Sequence, residues 1–184
     1  MKKLAVIFPG IGYHTDKPLL YYGKKLAQSH GYEILEVPYK NFERGIKGDP
    51  KKMQKAYESA LKQTEVILEE VQWERAEEIL FISKSIGTVV ASSYARRRAL
   101  DARQLFFTPL KETFDAAPLG DGIAFHGTND PWAADAEIEE GCRRTGIDLV
   151  EIAGANHSLE TGDVKTDLEN LQKVMEAAEM WLAH

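Results

Sequence analysis

The 184-residue chain is poor in cysteine, in long apolar runs and in excess positive charge. Its single cysteine, Cys142, excludes an internal disulfide and a thiol-rich metal site. No segment approaches the roughly 20 consecutive apolar residues of a membrane-spanning helix, so we expect no membrane partner. The first apolar run, Leu4 to Phe8, is too short for the core of a signal peptide. The sequence therefore predicts a cytoplasmic protein.

Charge and composition indicate which partners and which kind of domain to expect. Lys and Arg total 23 against 29 Asp and Glu, which gives a formal net charge of −6. A net negative surface repels phosphate backbones, so nucleic acid is not an expected partner. Hydrophobic residues make up 43% and charged residues 28%, values typical of a globular protein. The length fits one domain with a sizeable core, and we expect a single domain over residues 1–184.

Short apolar runs alternate with amphipathic segments along the chain. Apolar runs bounded by Pro, Gly or polar residues indicate strands, and apolar residues three or four apart indicate helices. Six strands are predicted, by KLAVIFPG, YEILEVPY, EEILFIS, RQLFFTP, DGIAFHG and IDLVEIA. Helices are predicted between them, and Asp49-Pro50 favours the start of a long one. This alternation predicts a three-layer α/β/α sandwich with a mostly parallel six-stranded sheet.

Three polar residues follow strands at the edge where an open parallel sheet binds ligands. Ser85 lies in SKSIGT, Asp130 in HGTNDPW and His157 in GANHSLE. A serine hydroxyl needs a base to remove its proton, and His157 is the candidate base. Asp130 is the candidate group that orients the imidazole. Each residue alone has an ordinary explanation, since serine and Asp-Pro both favour helix starts. All three together, each after a strand, favour a catalytic triad.

The segment SKSIG at positions 83–87 resembles the G-x-S-x-G nucleophile elbow of the α/β-hydrolases, with Ser83 replacing the first glycine. The chain order Ser, Asp, His is also that of this family. Over nearly its whole length, the chain resembles a small, dienelactone-hydrolase-like α/β-hydrolase that lacks the first strands and the cap domain. This resemblance implies a minimal α/β-hydrolase fold and an ester-cleaving serine hydrolase.

The resemblance also assigns an oxyanion hole. Its donors would be the backbone N–H of Ile86, just after the serine, and that of Ile11 in the loop FPGIG. Gly10 and Gly12 would let this loop turn close to the substrate. The same glycines begin a dinucleotide-binding fingerprint, but Thr15 stands where its third glycine is required. Nucleotide binding is therefore the weaker interpretation.

The substrate pocket is expected to be open. The interval where many α/β-hydrolases insert a cap is only TPLKETFDAAPLG. We expect a shallow site lined by Ile11, Thr108, Leu110, Phe114 and Trp132, suited to a short acyl chain. The predicted activity is hydrolysis of a small carboxylic ester, or of a thioester or amide, through an acyl-enzyme. It requires no metal or organic cofactor.

Several alternatives stay open on the sequence. Lys84 is interpreted as a surface charge or as part of the mouth of the site. Glu160 or Asp163 could replace Asp130 beside His157, and His126 is interpreted as structural. The alternative function is a catalytically silent binding protein that keeps the same scaffold.

Overall fold

The computed structural model describes residues 2–46 and 48–184. In these ranges, six strands alternate with five α-helices, as predicted. The strands are β1 Lys2–Phe8, β2 Tyr32–Glu36, β3 Ala76–Lys84, β4 Arg103–Phe107, β5 Gly122–Gly127 and β6 Asp148–Ile152. The helices are α1 Pro18–Ser29, α2 Pro50–Ile67, α3 Ile86–Arg98, α4 Asp135–Thr145 and α5 Val164–Leu182. Short 3-10 turns occur at Trp73–Arg75 and Lys111–Asp115.

The six strands form one sheet in the order β2-β1-β3-β4-β5-β6, and every neighbouring pair is parallel. The predicted α/β/α architecture is confirmed, with a fully parallel sheet. Strands β1 and β2 extend to one side and β3 to β6 to the other, so the order reverses between β1 and β3. The loops that follow β1 and β3 therefore diverge and leave a crevice at the carboxyl edge.

Successive strand residues point to opposite faces, which explains the continuous apolar runs. Ile7 and Ile82 belong to the core between the sheet and helices α1 and α5. Their neighbours Phe8 and Phe81 belong to the core on the other face, which includes Tyr94 of α3 and residues of α2. Both faces of the sheet are thus buried, and the loops at its carboxyl edge remain available for function.

Helix ends follow the sequence signals. Asp49 accepts hydrogen bonds from the backbone N–H groups of Lys51 and Lys52, so it caps α2 as predicted. Three arginines occupy the last turn of α3, where cations offset the negative end of the helix dipole.

Within the described ranges, no helix combines the length and the apolar character needed to cross a bilayer.

Candidate active site

Ser85 occupies the sharp turn between β3 and α3. Its φ of 54° and ψ of −126° lie in a region that residues other than glycine rarely adopt. The surrounding backbone holds it there: the Ser85 N–H donates to the Phe107 carbonyl at 3.1 Å. Its own carbonyl accepts from the N–H and the hydroxyl of Thr88, at 2.8 and 2.6 Å. This turn aims the serine side chain out of the carboxyl edge of the sheet.

The turn requires small residues beside the serine. A Cβ atom on Gly10 would lie 3.2 Å from Cβ of Ser85, so the loop after β1 passes directly against the elbow. Ser83, at the position where the motif usually has glycine, is fully buried and aligns with Phe8 and Phe106 in the neighbouring strands. Its hydroxymethyl group is therefore accommodated inside the sheet, away from the ligand side of the elbow.

The structure brings the three predicted polar residues together. Nε2 of His157 lies 2.8 Å from Oγ of Ser85, and Nδ1 lies 2.6 Å from Oδ2 of Asp130. The Asp130 side chain is completely buried, and its second oxygen accepts the Trp132 N–H at 2.9 Å. Helix α4 begins only at Asp135, so Asp130 does not cap it. The Ser85 hydroxyl likewise contacts His157 rather than serving as a cap.

The two acids considered as alternatives to Asp130 do not pair with the His157 ring. Asp163 caps α5 by accepting the Thr166 N–H at 2.9 Å. Glu160 is exposed to solvent. His126, interpreted as structural, is fully buried, and its Nε2 lies 2.7 Å from Oδ1 of Asp135.

The two predicted oxyanion donors lie at the same edge as Ser85. Ile86 is the first residue of α3, and the N–H groups of a first helical turn have no partner inside the helix. Gly10 and Tyr13 exchange backbone hydrogen bonds of 3.2 Å, which leaves Ile11 and Gly12 at the tip of a tight turn. Gly12 has a φ of 73°, as this turn requires. The use of these N–H groups as donors remains a prediction.

A cleft of about 710 Å³ opens above Ser85 and His157. The cleft is lined by four of the residues that were expected at the pocket: Ile11, Gly12, Leu110 and Trp132. A cleft of this volume is within the range that holds a small organic molecule.

Three other expected pocket residues lie elsewhere, and the expectation is corrected. Gly10 is buried behind the turn. Phe114 is 4% exposed and packs against Gly141 of α4, because Lys111–Asp115 coils into a 3-10 turn that directs its ring into the core. Thr108 is fully buried, and its hydroxyl contacts neighbouring protein groups rather than the cleft.

One wall of the cleft was missed by the sequence analysis. The first turns of α2 contribute Pro50, Met53, Gln54 and Tyr57, and α3 contributes Val89 and Ser93. This wall makes the site larger than the shallow depression expected from the short interval after β4. The available signal was the pair Met53 and Tyr57, which begins the apolar stripe of α2 ahead of its most buried part.

Of the two interpretations of Lys84, the surface charge is wrong, whereas a place in the site agrees with the structure. The side chain is 1% exposed, so it is not a surface charge, although it reaches the inner end of the cleft. Its Nζ lies 2.7 Å from Thr108 Oγ1, 2.7 Å from the His157 carbonyl oxygen and 4.8 Å from the centre of the Tyr13 ring. Burial raises the pKa of Tyr13 to about 12, so this phenol stays neutral.

No group of three His, Cys, Asp or Glu side chains suited to a metal ion occurs in the described ranges.

Comparison with known proteins identifies the fold. No protein-family model and no curated protein matches the sequence. Solved structures do match. A lidless α/β serine hydrolase from Xanthomonas campestris aligns with a TM-score of 0.74 and 10% identity, over 98% of this chain and 80% of its own. A Butyrivibrio proteoclasticus protein with ferulic acid bound has a TM-score of 0.70 and 13% identity, over 98% and 88%.

An esterase from Pyrococcus furiosus has a TM-score of 0.66 and 13% identity, over 99% of this chain and 83% of its own. At such identities the likeness establishes the fold alone. The chain has a minimal α/β-hydrolase fold, as its resemblance to that family implied. Between β4 and β5, where all residues are described, it has only the short 3-10 turn Lys111–Asp115 and no cap domain.

Proposed function

We propose that this α/β-hydrolase-fold protein is a serine hydrolase that cleaves a small carboxylic ester through an acyl-enzyme. The observation that carries the proposal is the continuous hydrogen-bonded line from Ser85 through His157 to buried Asp130. Among the structural neighbours, one is a serine hydrolase and one an esterase, which supports the same class of activity. Thioesters and amides are the related substrates that this chemistry could also accept.

The geometry supports a two-stage reaction. His157 accepts the hydroxyl proton as Ser85 Oγ bonds to the ester carbonyl carbon, and Asp130 stabilises the resulting imidazolium. The N–H groups of Ile86 and Ile11 would stabilise the negative oxygen of the tetrahedral intermediate. When this intermediate collapses, the carbon–oxygen bond to the alcohol breaks and His157 returns the proton to the departing alkoxide. A water molecule, deprotonated by the same imidazole, then bonds to the acyl carbon. The bond from this carbon to Ser85 Oγ breaks, His157 returns the proton to Oγ, and the acid leaves.

The substrate is proposed from the cleft. Its volume accommodates the acyl and alcohol portions of one small ester beside Ser85. Ile11, Leu110 and Met53 supply apolar lining, whereas Trp132 lies at the rim with 42% of its surface exposed. The apolar part of the lining favours a neutral acyl group; charged side chains of both signs, such as Arg96 and Glu112, also line the cleft.

A fluorophosphonate probe tests the proposal directly, because it bonds covalently to an activated serine. Wild-type protein is expected to be labelled and Ser85→Ala is not. The matched control is Ser83→Ala, which removes the buried hydroxyl two residues away and should label like wild type. Nitrophenyl esters of increasing acyl length then define the substrate range. Wild-type protein that neither labels nor hydrolyses any of these esters would favour the silent binding protein instead.

A further inference from the structure

The residue immediately before the candidate nucleophile is a lysine with a buried side chain. Lys84 ends β3, and its side chain is 1% exposed. Burying an ammonium group costs free energy unless hydrogen bonds and charge interactions replace its water. A lysine buried in such a place, next to a site, requires an explanation beyond packing.

The contacts of Lys84 join its own segment, which leads into Ser85, to three other loops of the site. Its backbone continues directly into Ser85. Its Nζ donates to the hydroxyl of Thr108, just after β4, and to the carbonyl oxygen of His157, in the loop after β6, both at 2.7 Å. The ring of Tyr13, from the loop after β1, lies 4.8 Å from the same ammonium. One side chain thus joins four loops at the carboxyl edge.

Thr108 reinforces the contact with His157. Its hydroxyl accepts from Lys84 and donates to the His157 carbonyl at 3.1 Å, so that carbonyl accepts two hydrogen bonds. Thr108 has a φ of 44°, which is unfavourable for a β-branched residue. Such a conformation persists only where surrounding contacts fix it. On the sheet side, the Thr108 N–H donates to the Phe125 carbonyl oxygen at 2.8 Å and so fixes the Thr108 backbone.

We propose that Lys84 is a positioning residue: with Thr108, it clamps the main chain of His157 so that the imidazole stays in line between Ser85 and Asp130. This inference rests on the proposed function. The loop that carries His157 has no regular secondary structure between β6 and α5. The orientation of the imidazole therefore depends on how that loop is held, and the two bonds to the His157 carbonyl hold it at the residue itself.

The clamp affects chemistry more than binding. Lys84 holds the main chain of the base, and only the end of its side chain reaches the inner end of the cleft, so its loss should lower kcat far more than it changes KM. A displacement of the imidazole by about 1 Å is enough to reduce the rate by about 100-fold. We therefore expect a decrease of that order in kcat for Lys84→Met, which keeps the length of the side chain and removes its donors. Lys173→Met, which changes an exposed lysine of α5, is the control and should match wild type.

A second pair of variants covers the case in which Lys84→Met fails to fold. Thr108→Ala removes the hydroxyl that bridges Lys84 and His157, whereas Thr108→Ser retains it, and both remove the β-branch. Thr108→Ala should lower kcat by about tenfold or more, and Thr108→Ser should recover most of it, with KM similar in both. Equal rates in the two variants, or a loss confined to KM, would overturn the clamp.

A spectroscopic measurement tests the clamp without relying on turnover. The Nδ1 proton of His157, shared with Asp130 across 2.6 Å, should give a far-downfield proton NMR signal. The signal is expected in wild type, Lys173→Met and Thr108→Ser, and should be lost or strongly shifted in folded Thr108→Ala or Lys84→Met. An unchanged signal in folded Thr108→Ala and Lys84→Met would refute the positioning role. Absence of hydrolysis and labelling in wild type would refute the proposed function instead, and the NMR comparison would still decide the clamp.

Discussion

A Cβ atom placed on Gly87 would lie 2.4 Å from the carbonyl oxygen of Phe8. The first turn of α3 therefore passes against the end of β1 with no space for a side chain. This approach brings the loop after β1, which carries Ile11, next to the elbow that carries Ser85. The elbow glycine is thus explained by contact between two backbones rather than by an unusual φ at Gly87 itself.

Gly87→Ala should therefore be damaging. The added methyl group must displace backbone, so we expect a loss of about 2 kcal/mol or more in the free energy of unfolding. Ester hydrolysis should fall as well, because the turn cannot keep Ser85 and the β1 loop in register. Urea denaturation and initial rates measure the two effects. Gly31→Ala is the control: among the described residues, none except its own chain neighbours has an atom within 4 Å of its Cβ position. Its left-handed φ costs about 1–2 kcal/mol, and its activity should be unchanged.

Asp130→Asn tests the orienting role of the buried carboxylate. The amide keeps the size of the side chain but can donate to His157 Nδ1, which favours the wrong tautomer. We expect kcat to fall by about 1,000-fold or more, with KM similar to wild type. Asp163→Asn, which changes the helix cap near the same loop, should retain activity in steady-state assays. Comparable losses in both variants would indicate general damage to the loop instead.

The wall formed by α2 should control which esters enter. Met53→Trp adds bulk at the cleft, so kcat/KM should fall by about tenfold for longer acyl esters. Acetate esters, which occupy only the space next to Ser85, should be affected little. Steady-state kinetics across an acyl series measures this ratio. A uniform loss for all chain lengths, or none, would show that α2 does not contact the acyl group.

The network around Glu78 should make stability depend on pH. The ammonium of Lys3, with Nζ 2.6 Å from Oε1, and the hydroxyl of Tyr32 lower the pKa of this carboxyl. A carboxyl whose pKa is lower in the folded state stabilises the fold above its unfolded pKa of about 4.3. This contribution is lost as the pH falls through the folded value.

Glu78→Gln should therefore lower the free energy of unfolding at pH 7. The loss should stay under about 1 kcal/mol, since over a third of the side chain is exposed. The difference from wild type should disappear in strong acid, as urea denaturation at several pH values would show. Glu33→Gln, from the more exposed pair with Lys2, is the matched control and should show a smaller effect. A difference independent of pH would exclude the carboxylate as its cause.

The order of strands and helices could be predicted from sequence because both faces of the sheet are buried. Residues such as Ile7 and Phe8 face opposite cores, so their strand appears as one uninterrupted apolar run. The approach of Ser85, Asp130 and His157 could be anticipated for a related reason. Parallel strands all end at one edge, and each residue directly follows a strand.

Residues whose surroundings depend on packing between distant elements could not be predicted in this way. A lysine in a polar loop is usually solvated, and nothing local to Lys84 indicates that Tyr13, Thr108 and His157 converge on it. Phe114 similarly looks like part of a loop over the pocket. It is buried because Gly141 of α4 leaves space for its ring, and that space exists only after α4 packs on the sheet.

The backbone of Ser85 has a consequence for capturing an intact ligand. At a φ of 54° and a ψ of −126°, glycine is the residue that fits without penalty. Replacement by alanine discards the hydroxyl but keeps the torsional strain, whereas replacement by glycine discards both. The glycine form should thus melt at a higher temperature than the alanine form, which makes it the better inert scaffold for co-crystallisation.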